Sequence, residues 1–392
     1  MIKPVLSLTD IFGPHYIFNG RGSYQNSQWL PTPLAQDSSS GSMIAVAGDT
    51  PLMCHRDVAD PACLSLLREA GLQVGQSLHV YGDERGYYER LKRFQEPQQK
   101  MVINYNHLPE EIPEDLLWVR PQLLSYVNNK KHLAVFVPEP FIPKRRVLSS
   151  REFLDSNRLP FAFPYVVKAA TDEPNGGGAD IVICRQETDL RQARQLFKHC
   201  SAVVVEEFLS IQKNYCIQFA QTYRGELVYL GAAEQIITEE GKYLGNWVDQ
   251  ENQPPDAAIE LCKRIVEKAV SLGYWGFAGI DTVITEDNRL LVIDLNFRQN
   301  GSTGALLLRD SIMHAYDARV LKLRKWKSHL SFAECTGLLQ TLMGKKMLVP
   351  LCIYKPRSQS ADNPVFVSSL IAGNSKDDII ECEKYLQHIG LE

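Results

Sequence analysis

Short apolar runs alternate with segments of helical periodicity through the first third of the chain. Residues 43–47 predict a strand that ends at the turn Gly48-Asp49, and residues 63–70 predict a helix stopped by Gly71. A strand over 78–81, a helix over 87–94 and a third strand over 101–105 follow. The forty residues before them look irregular, and the polar tract 36–42 predicts a loop. This alternation implies a small parallel sheet with helices packed on it. Proline-rich stretches at 109–121 and 138–143 place a domain boundary near residue 125. Beyond it, 165–169 and 202–205 predict strands around a helix at 188–200, with Leu190, Ala193, Leu196 and Phe197 on one face. Residues 256–272 form the clearest helical pattern. Asp256 is placed to cap it and Gly273 to end it, and Ala258, Leu261, Cys262, Ile265, Ala269 and Leu272 make its stripe. Residues 280–285 and 290–295 predict a hairpin joined by Glu286-Asp287-Asn288. No internal repeat is visible, and the tail from about Ser328 has no clear pattern.

The chain has 392 residues, 44% hydrophobic and 22% charged, with a net charge of -4. That bounds it to two or three globular domains and gives no basic footprint for nucleic acid. Basic runs at Lys144-Arg145-Arg146 and at Lys322, Arg324, Lys325 and Lys327 predict solvated surface charge, with a dock for an acidic partner as the alternative. Nine scattered cysteines without metal-ligand spacing, no apolar leader and no membrane-length run predict a cytoplasmic protein with reduced thiols.

Chemistry concentrates in Gly276-Phe-Ala-Gly-Ile-Asp281 and Leu291-Val-Ile-Asp294-Leu-Asn296-Phe-Arg298. Strand alternation puts Asp294, Asn296 and Arg298 on one side, and a hairpin lets Asp281 face them. Two carboxylates and an amide oxygen suit magnesium, which shares its ligands with phosphates. An arginine beside them suits an anion held in bidentate fashion. Read without context, the same pattern describes a hairpin with a wet polar face.

At these residues the chain resembles the ATP-grasp superfamily, whose members carry an acid on one strand and E-x-N or D-x-N on the next. Asp281 and Asp294 are thirteen positions apart, similar to the D-alanine ligase branch. The resemblance makes Asp281, Asp294 and Asn296 ligands of Mg²⁺, with Mn²⁺ as an alternative, and makes Arg298 catalytic on the transferred phosphate. Asp294 departs from the usual Glu. Pro164-Tyr-Val-Val-Lys168 resembles the strand that ends in a phosphate-binding lysine, and Asn175-Gly176-Gly177-Gly178 resembles the flap over ATP, whose glycines let backbone N–H groups close on an anion. Glu206-Glu207-Phe208-Leu209 resembles the adenine hinge. Many relatives place a ribose-binding acid just beyond it. Here Gln212-Lys213-Asn214 has none, which leaves Asn214 for the ribose. Asn129-Lys130-Lys131-His132 sits where relatives carry an ATP-binding lysine, and Lys131 and Lys130 both stay open for that role. Glu240-Gly-Lys242 resembles a substrate-side loop whose lysine is catalytic at the terminal phosphate.

The resemblance implies a mixed α/β and α+β chain, an ATP-grasp fold preceded by a small Rossmann-like parallel-sheet domain. Residues 1–125 would form the pre-ATP-grasp domain and 126–327 the ATP-grasp domain, divided into a nucleotide lid (126–208) and a metal-binding part (209–327). Residues 328–392 would complete it. The activity implied is an ADP-forming ligase: a substrate carboxylate becomes an acyl phosphate, which an amine of an amino acid or short peptide displaces. Alternatives are a thiol acceptor such as a carrier protein, a kinase without ligation, and a non-catalytic ATP-binding module. A homodimer stays open; nucleic-acid and membrane partners are not expected.

Overall fold

The computed structural model describes residues 1–25, 27–156, 159–239, 241, 243–360 and 363–392. Among these residues the strands form three sheets. The first is parallel and built from β1 (Tyr16–Asn19), β2 (Leu52–His55), β3 (Leu78–Tyr81) and β4 (Lys100–Ile103), in the order β3-β2-β1-β4. The expected parallel sheet is present, with one exchange of strands and one addition, β1, from the stretch expected to be irregular. Residues 43–47 are not a strand: Ile44–Val46 make a 3-10 turn, and the strand is Leu52–His55, beyond Gly48-Asp49. Both runs are apolar and buried, so periodicity cannot tell them apart. The tract expected as a loop is largely the helix Pro33–Ser39. Its start is specified by Thr32, whose side chain accepts from the Ala35 N–H, and by proline at the first helical position.

The second sheet is antiparallel: β5 (Arg145–Ser149), β6 (Tyr165–Ala170), β7 (Ile181–Cys184) and β8 (Ala202–Glu207), in the order β5-β8-β6-β7. The helix Glu187–Phe197 lays Leu190, Ala193 and Phe197 on it. Leu196, expected on that face, is instead exposed, one helical step off the stripe. This sheet keeps its own small core around Phe153, Tyr165, Phe197 and Val203, to which Trp29 is added from the N-terminal region.

The third sheet is antiparallel with eight strands: β9 (Ile211–Gln221), β10 (Leu227–Ile237), β11 (Tyr243–Asp249), β12 (Gly276–Thr285), β13 (Leu290–Asn296), β14 (Val320–Ser328), β15 (Leu348–Tyr354) and β16 (Val365–Gly373). Their order is β13-β12-β9-β10-β11-β14-β16-β15. The tail that showed no pattern thus supplies two full strands of this sheet. The cap of the helix Asp256–Ser271 falls one residue earlier than expected: Pro255 is the N-cap, and Asp256 is the first helical residue. There its charge still complements the helix dipole. Gly273, at φ 99°, turns the chain out of the helix, and Leu272 is left exposed. All nine cysteines are buried, free thiols. No helix among the described residues is long and apolar enough to cross a membrane.

An aromatic seam joins the parallel sheet region to the large sheet. Phe12 meets Trp118 edge-on at 5.7 Å and Phe277 at 5.6 Å, and Trp275 meets Trp118 at 5.8 Å. Such pairs add stability beyond their buried area. Gly276 lies directly beneath the seam at φ 103°; a Cβ there would stand 2.6 Å from the Trp118 ring and 2.9 Å from Phe12. We expect Gly276→Ala to cost about 2–4 kcal/mol, from overpacking together with left-handed strain. Urea unfolding measures this, and an unchanged midpoint would mean the seam yields without cost.

Candidate active site

The β12–β13 hairpin brings the two predicted acids together. Asp281 and Asp294 are direct partners across the strands, and a register shift follows Asp281. Asn296 turns its amide onto Asp281, with Nδ2 donating to Oδ2 at 3.0 Å. Gln235 of β10 donates to the other oxygen, Oδ1, at 2.8 Å. Burial and the facing Asp294 push the Asp281 carboxyl up to about 6. Asp294 moves the opposite way. Burial opposes its charge, but Lys130, Lys168 and Arg298 outweigh that and hold its pKa below the ordinary carboxylate range. Two carboxylates separated by one strand spacing therefore differ because the cations stand on the Asp294 side.

Those cations come from elements far apart in sequence. Lys130, in the turn Lys130–His132, is buried, with Nζ 2.9 Å from Asp180 Oδ2 and 3.1 Å from Asp294 Oδ2. Burial works against its charge, yet the two acids raise its pKa. Of the adjacent pair, the structure brings Lys130 onto the carboxylates. Lys131 forms no ion pair among the described residues; its backbone N–H is fixed by the Asn129 side chain. Lys168, on β6, bonds to Glu206 at 2.6 Å and to the Ile293 carbonyl at 2.9 Å, linking the second sheet to β13. Arg145 Nη1 stands 3.4 Å from Glu206 on the other side. The side chain of Arg145 is 8% exposed, so it is not part of a solvated cluster with Lys144 and Arg146. Alternation along β5 turns it inward. Asp180, Arg145 and Gln235 are site residues that the sequence pattern did not single out. A strand over 145–149 would have separated Arg145 from its neighbours.

The remaining predicted residues divide. Glu206 is buried and committed to Lys168 and Arg145, while Glu207 is held by Arg289 at 3.0 Å and by the Lys144 N–H at 2.9 Å. Phe208 lies under the Arg185 guanidinium and Leu209 is half-buried beside it. Asn214 shares a face of β9 with Cys216, which pairs with Asp281, and its buried Oδ1 has no hydrogen-bond partner among the described residues. Gly177 and Gly178 adopt φ of 74° and 79°, while the Gly176 N–H donates to the Trp29 carbonyl. Arg298 lies past the end of β13 rather than on it. Its Nη2 reaches the Asn175 carbonyl at 3.4 Å and its guanidinium stands over Tyr105. Lys242 lies outside the described residues. Gly279 is required here, since a Cβ would strike Asn300 at 2.4 Å, and Asn300 in turn holds the Arg298 carbonyl at 2.8 Å.

The raised carboxyl of Asp281 has a stability consequence. Its folded pKa exceeds its unfolded one, so its contribution is present at low pH and is lost as pH rises through about 6. We expect Asp281→Asn to stabilise the nucleotide-free protein at pH 7.5 by on the order of 1–2 kcal/mol and to flatten its stability profile between about pH 4 and pH 6. A melting series across that range decides it, and a destabilised variant would refute the charge repulsion.

The arrangement sets the cations Lys130, Lys168 and Arg145 beside the carboxylates of Asp294 and Glu206, with Asp281 facing Asp294 across the hairpin. Family models for L-aspartate--L-methionine ligase match in succession, the N-terminal domain over residues 7–125 and the ATP-grasp domain over residues 143–296. Among solved structures, an N5-carboxyaminoimidazole ribonucleotide synthetase in complex with ADP superposes with a TM-score of 0.60 at 15% identity, covering 99% of this chain and 98% of its own. The Staphylococcus aureus enzyme of that name gives 0.58 at 13%, with 98% of each chain covered. Biotin carboxylase from Campylobacter jejuni gives 0.59 at 11%, covering 94% of this chain and 90% of its own. These likenesses extend the same fold over nearly the whole length. The chain belongs to the ATP-grasp superfamily, as an ATP-dependent, ADP-forming ligase that joins a carboxylate to an amine.

Proposed function

We propose that this chain condenses L-aspartate with L-methionine at the site framed by β12, β13 and the lysines of the second sheet. An aspartate carboxylate oxygen attacks the γ-phosphorus of ATP, the bond to the bridging oxygen breaks, and ADP leaves. The methionine nitrogen then attacks the acyl carbon, the bond to the phosphate oxygen breaks, and the nitrogen yields its proton to solvent. The observation that carries this reading is the opposition of Asp281 and Asp294 with Lys130 and Lys168 on one side, together with the two-domain match to a ligase named for those amino acids.

Asp281, Asp294 and Asn296 offer only oxygen donors, the set that magnesium or manganese prefers. The mutual repulsion that raises Asp281 is what a cation there would relieve. Among the described residues no group of three His, Cys, Asp or Glu side chains forms a cage by itself, as suits an ion completed by phosphate oxygens. Bound there, it would neutralise the phosphates for attack. Lys130 and Lys168 are placed as point charges for the phosphate chain, and Arg298 as the guanidinium beside the transferred phosphoryl. Gly177 and Gly178 would close their N–H groups over it. The unpartnered Asn214 Oδ1 suits a ribose hydroxyl. Catalysis of this kind rests on positioning and charge neutralisation. Of the basic run that a carrier-protein dock would use, Lys322 and Arg324 are both bound to Glu383.

With ATP, L-aspartate and L-methionine together, the protein is expected to release ADP and to yield a product with the mass of the two amino acids less one water. ADP released equally well without methionine would sink the ligase assignment of these substrates. Lys130→Met is expected to weaken ATP binding at least about tenfold and to cost about 3–5 kcal/mol by stranding two buried acids. Lys131→Met should change neither. Calorimetry and unfolding on both variants test the choice, and a loss confined to Lys131→Met would reverse it.

A further inference from the structure

A second cavity of ≈ 340 Å³ adjoins this site, within the size range of small-ligand pockets. It shares Asn104 and Tyr105 with the small pocket that Arg298 lines. One wall continues β13 past Arg298 through Gln299, Asn300 and Gly301, and another is formed by β14 and β16. Cys352, Phe366 and Val367 give it an apolar side. Its charged lining is two lysines, Lys325 and Lys327, against one acid, Glu392, whose backbone is paired with that of Lys327.

Lys325 and Lys327 differ from the other two cations on their strand. Lys322 and Arg324 are neutralised by Glu383. Lys325 has no carboxylate partner among the described residues, and its one hydrogen bond is to Ser39 Oγ at 3.4 Å. Lys325 is exposed and lines the cavity, so its ammonium is available to an anion bound there.

The reaction defines which anion. The amine-bearing amino acid enters with a carboxylate that is never activated and must be held away from the phosphates. We propose that this cavity is the acceptor subsite, in which Lys325 binds the retained carboxylate of the amine-bearing amino acid and the Cys352–Phe366–Val367 side receives its apolar side chain. The amine then faces Asn104 and Tyr105, on the way to Arg298. The assignment rests on the ligase reading above and adds the residue that recognises the second substrate.

The test compares L-methionine with L-methioninol, which keeps the side chain and the amine but lacks the carboxylate. Wild-type protein should favour methionine in kcat/KM. Lys325→Met should raise KM for methionine at least about tenfold and bring the preference for methionine over methioninol near unity, leaving KM for ATP and aspartate within about twofold. Lys325→Arg should restore most of the preference. Ala35→Leu, which intrudes on the cavity from the helix Pro33–Ser39 without touching the charge, should raise KM for methionine and methioninol alike. Preserved discrimination in Lys325→Met, or a KM increase that falls on aspartate, overturns the subsite. Should Lys325→Met fail to fold, Ala35→Leu decides, and an unchanged KM for methionine there overturns it equally. Failure of wild-type protein to form any amide from aspartate and methionine is a separate result that refutes the parent reading.

Discussion

Two carboxylates face each other across neighbouring strands in a buried setting, and most of the surrounding structure answers that charge. Asp281 is held by the amides of Gln235 and Asn296, Asp294 by the ammonium of Lys130. Removing one member of such a cluster leaves its partners buried and uncompensated, which costs far more than the net worth of any single pair. The cations also form a chain of contacts between separate sheets. Lys130 joins Asp180, just before β7, to Asp294 on β13, and Lys168 joins Glu206 on β8 to the backbone of β13. The charge balance of the site is therefore also what positions the second sheet over the third.

That second sheet is otherwise lightly attached. Its core is a small cluster of its own, whereas the parallel sheet and the large antiparallel sheet share one continuous core. The aromatic seam of Phe12, Trp118, Trp275 and Phe277 lies in the shared core. The second sheet is thus joined to the rest chiefly by ion pairs, whereas the parallel and large sheets are joined by packed rings, which separate less readily than ionic contacts exchange. The glycine loop between β6 and β7 belongs to this second sheet and approaches Gly241, beside β11, where a Cβ on Gly178 would contact the Gly241 carbonyl at 3.4 Å.

The basic residues show how much burial alters the meaning of a charge. Arg145 and Lys325 both sit in runs that look like surface patches. One is buried against Glu206; the other lines a cavity on a strand where Lys322 and Arg324 are held by Glu383. Within each run the inward members are committed to acids and only the outward ones remain exposed.

The sequence by itself determined the local elements that carry their own signals. The β12–β13 hairpin, the helix Asp256–Ser271 and the strand ending near Lys168 are legible from alternation, helical period and turn residues, and so is the order of the motifs between Lys168 and Arg298. It could not distinguish residues 44–46 from 52–55, because two buried apolar runs have the same pattern and only packing selects the one that pairs. It did not expose β15 and β16, whose attachment to β14 through β16 is a long-range choice. Nor could it choose Lys130 over Lys131, or show Asp180 and Gln235 converging on the acids. Tertiary structure decided these, since the partner of a buried charge is set by distances between strands far apart along the chain, and no local period encodes them.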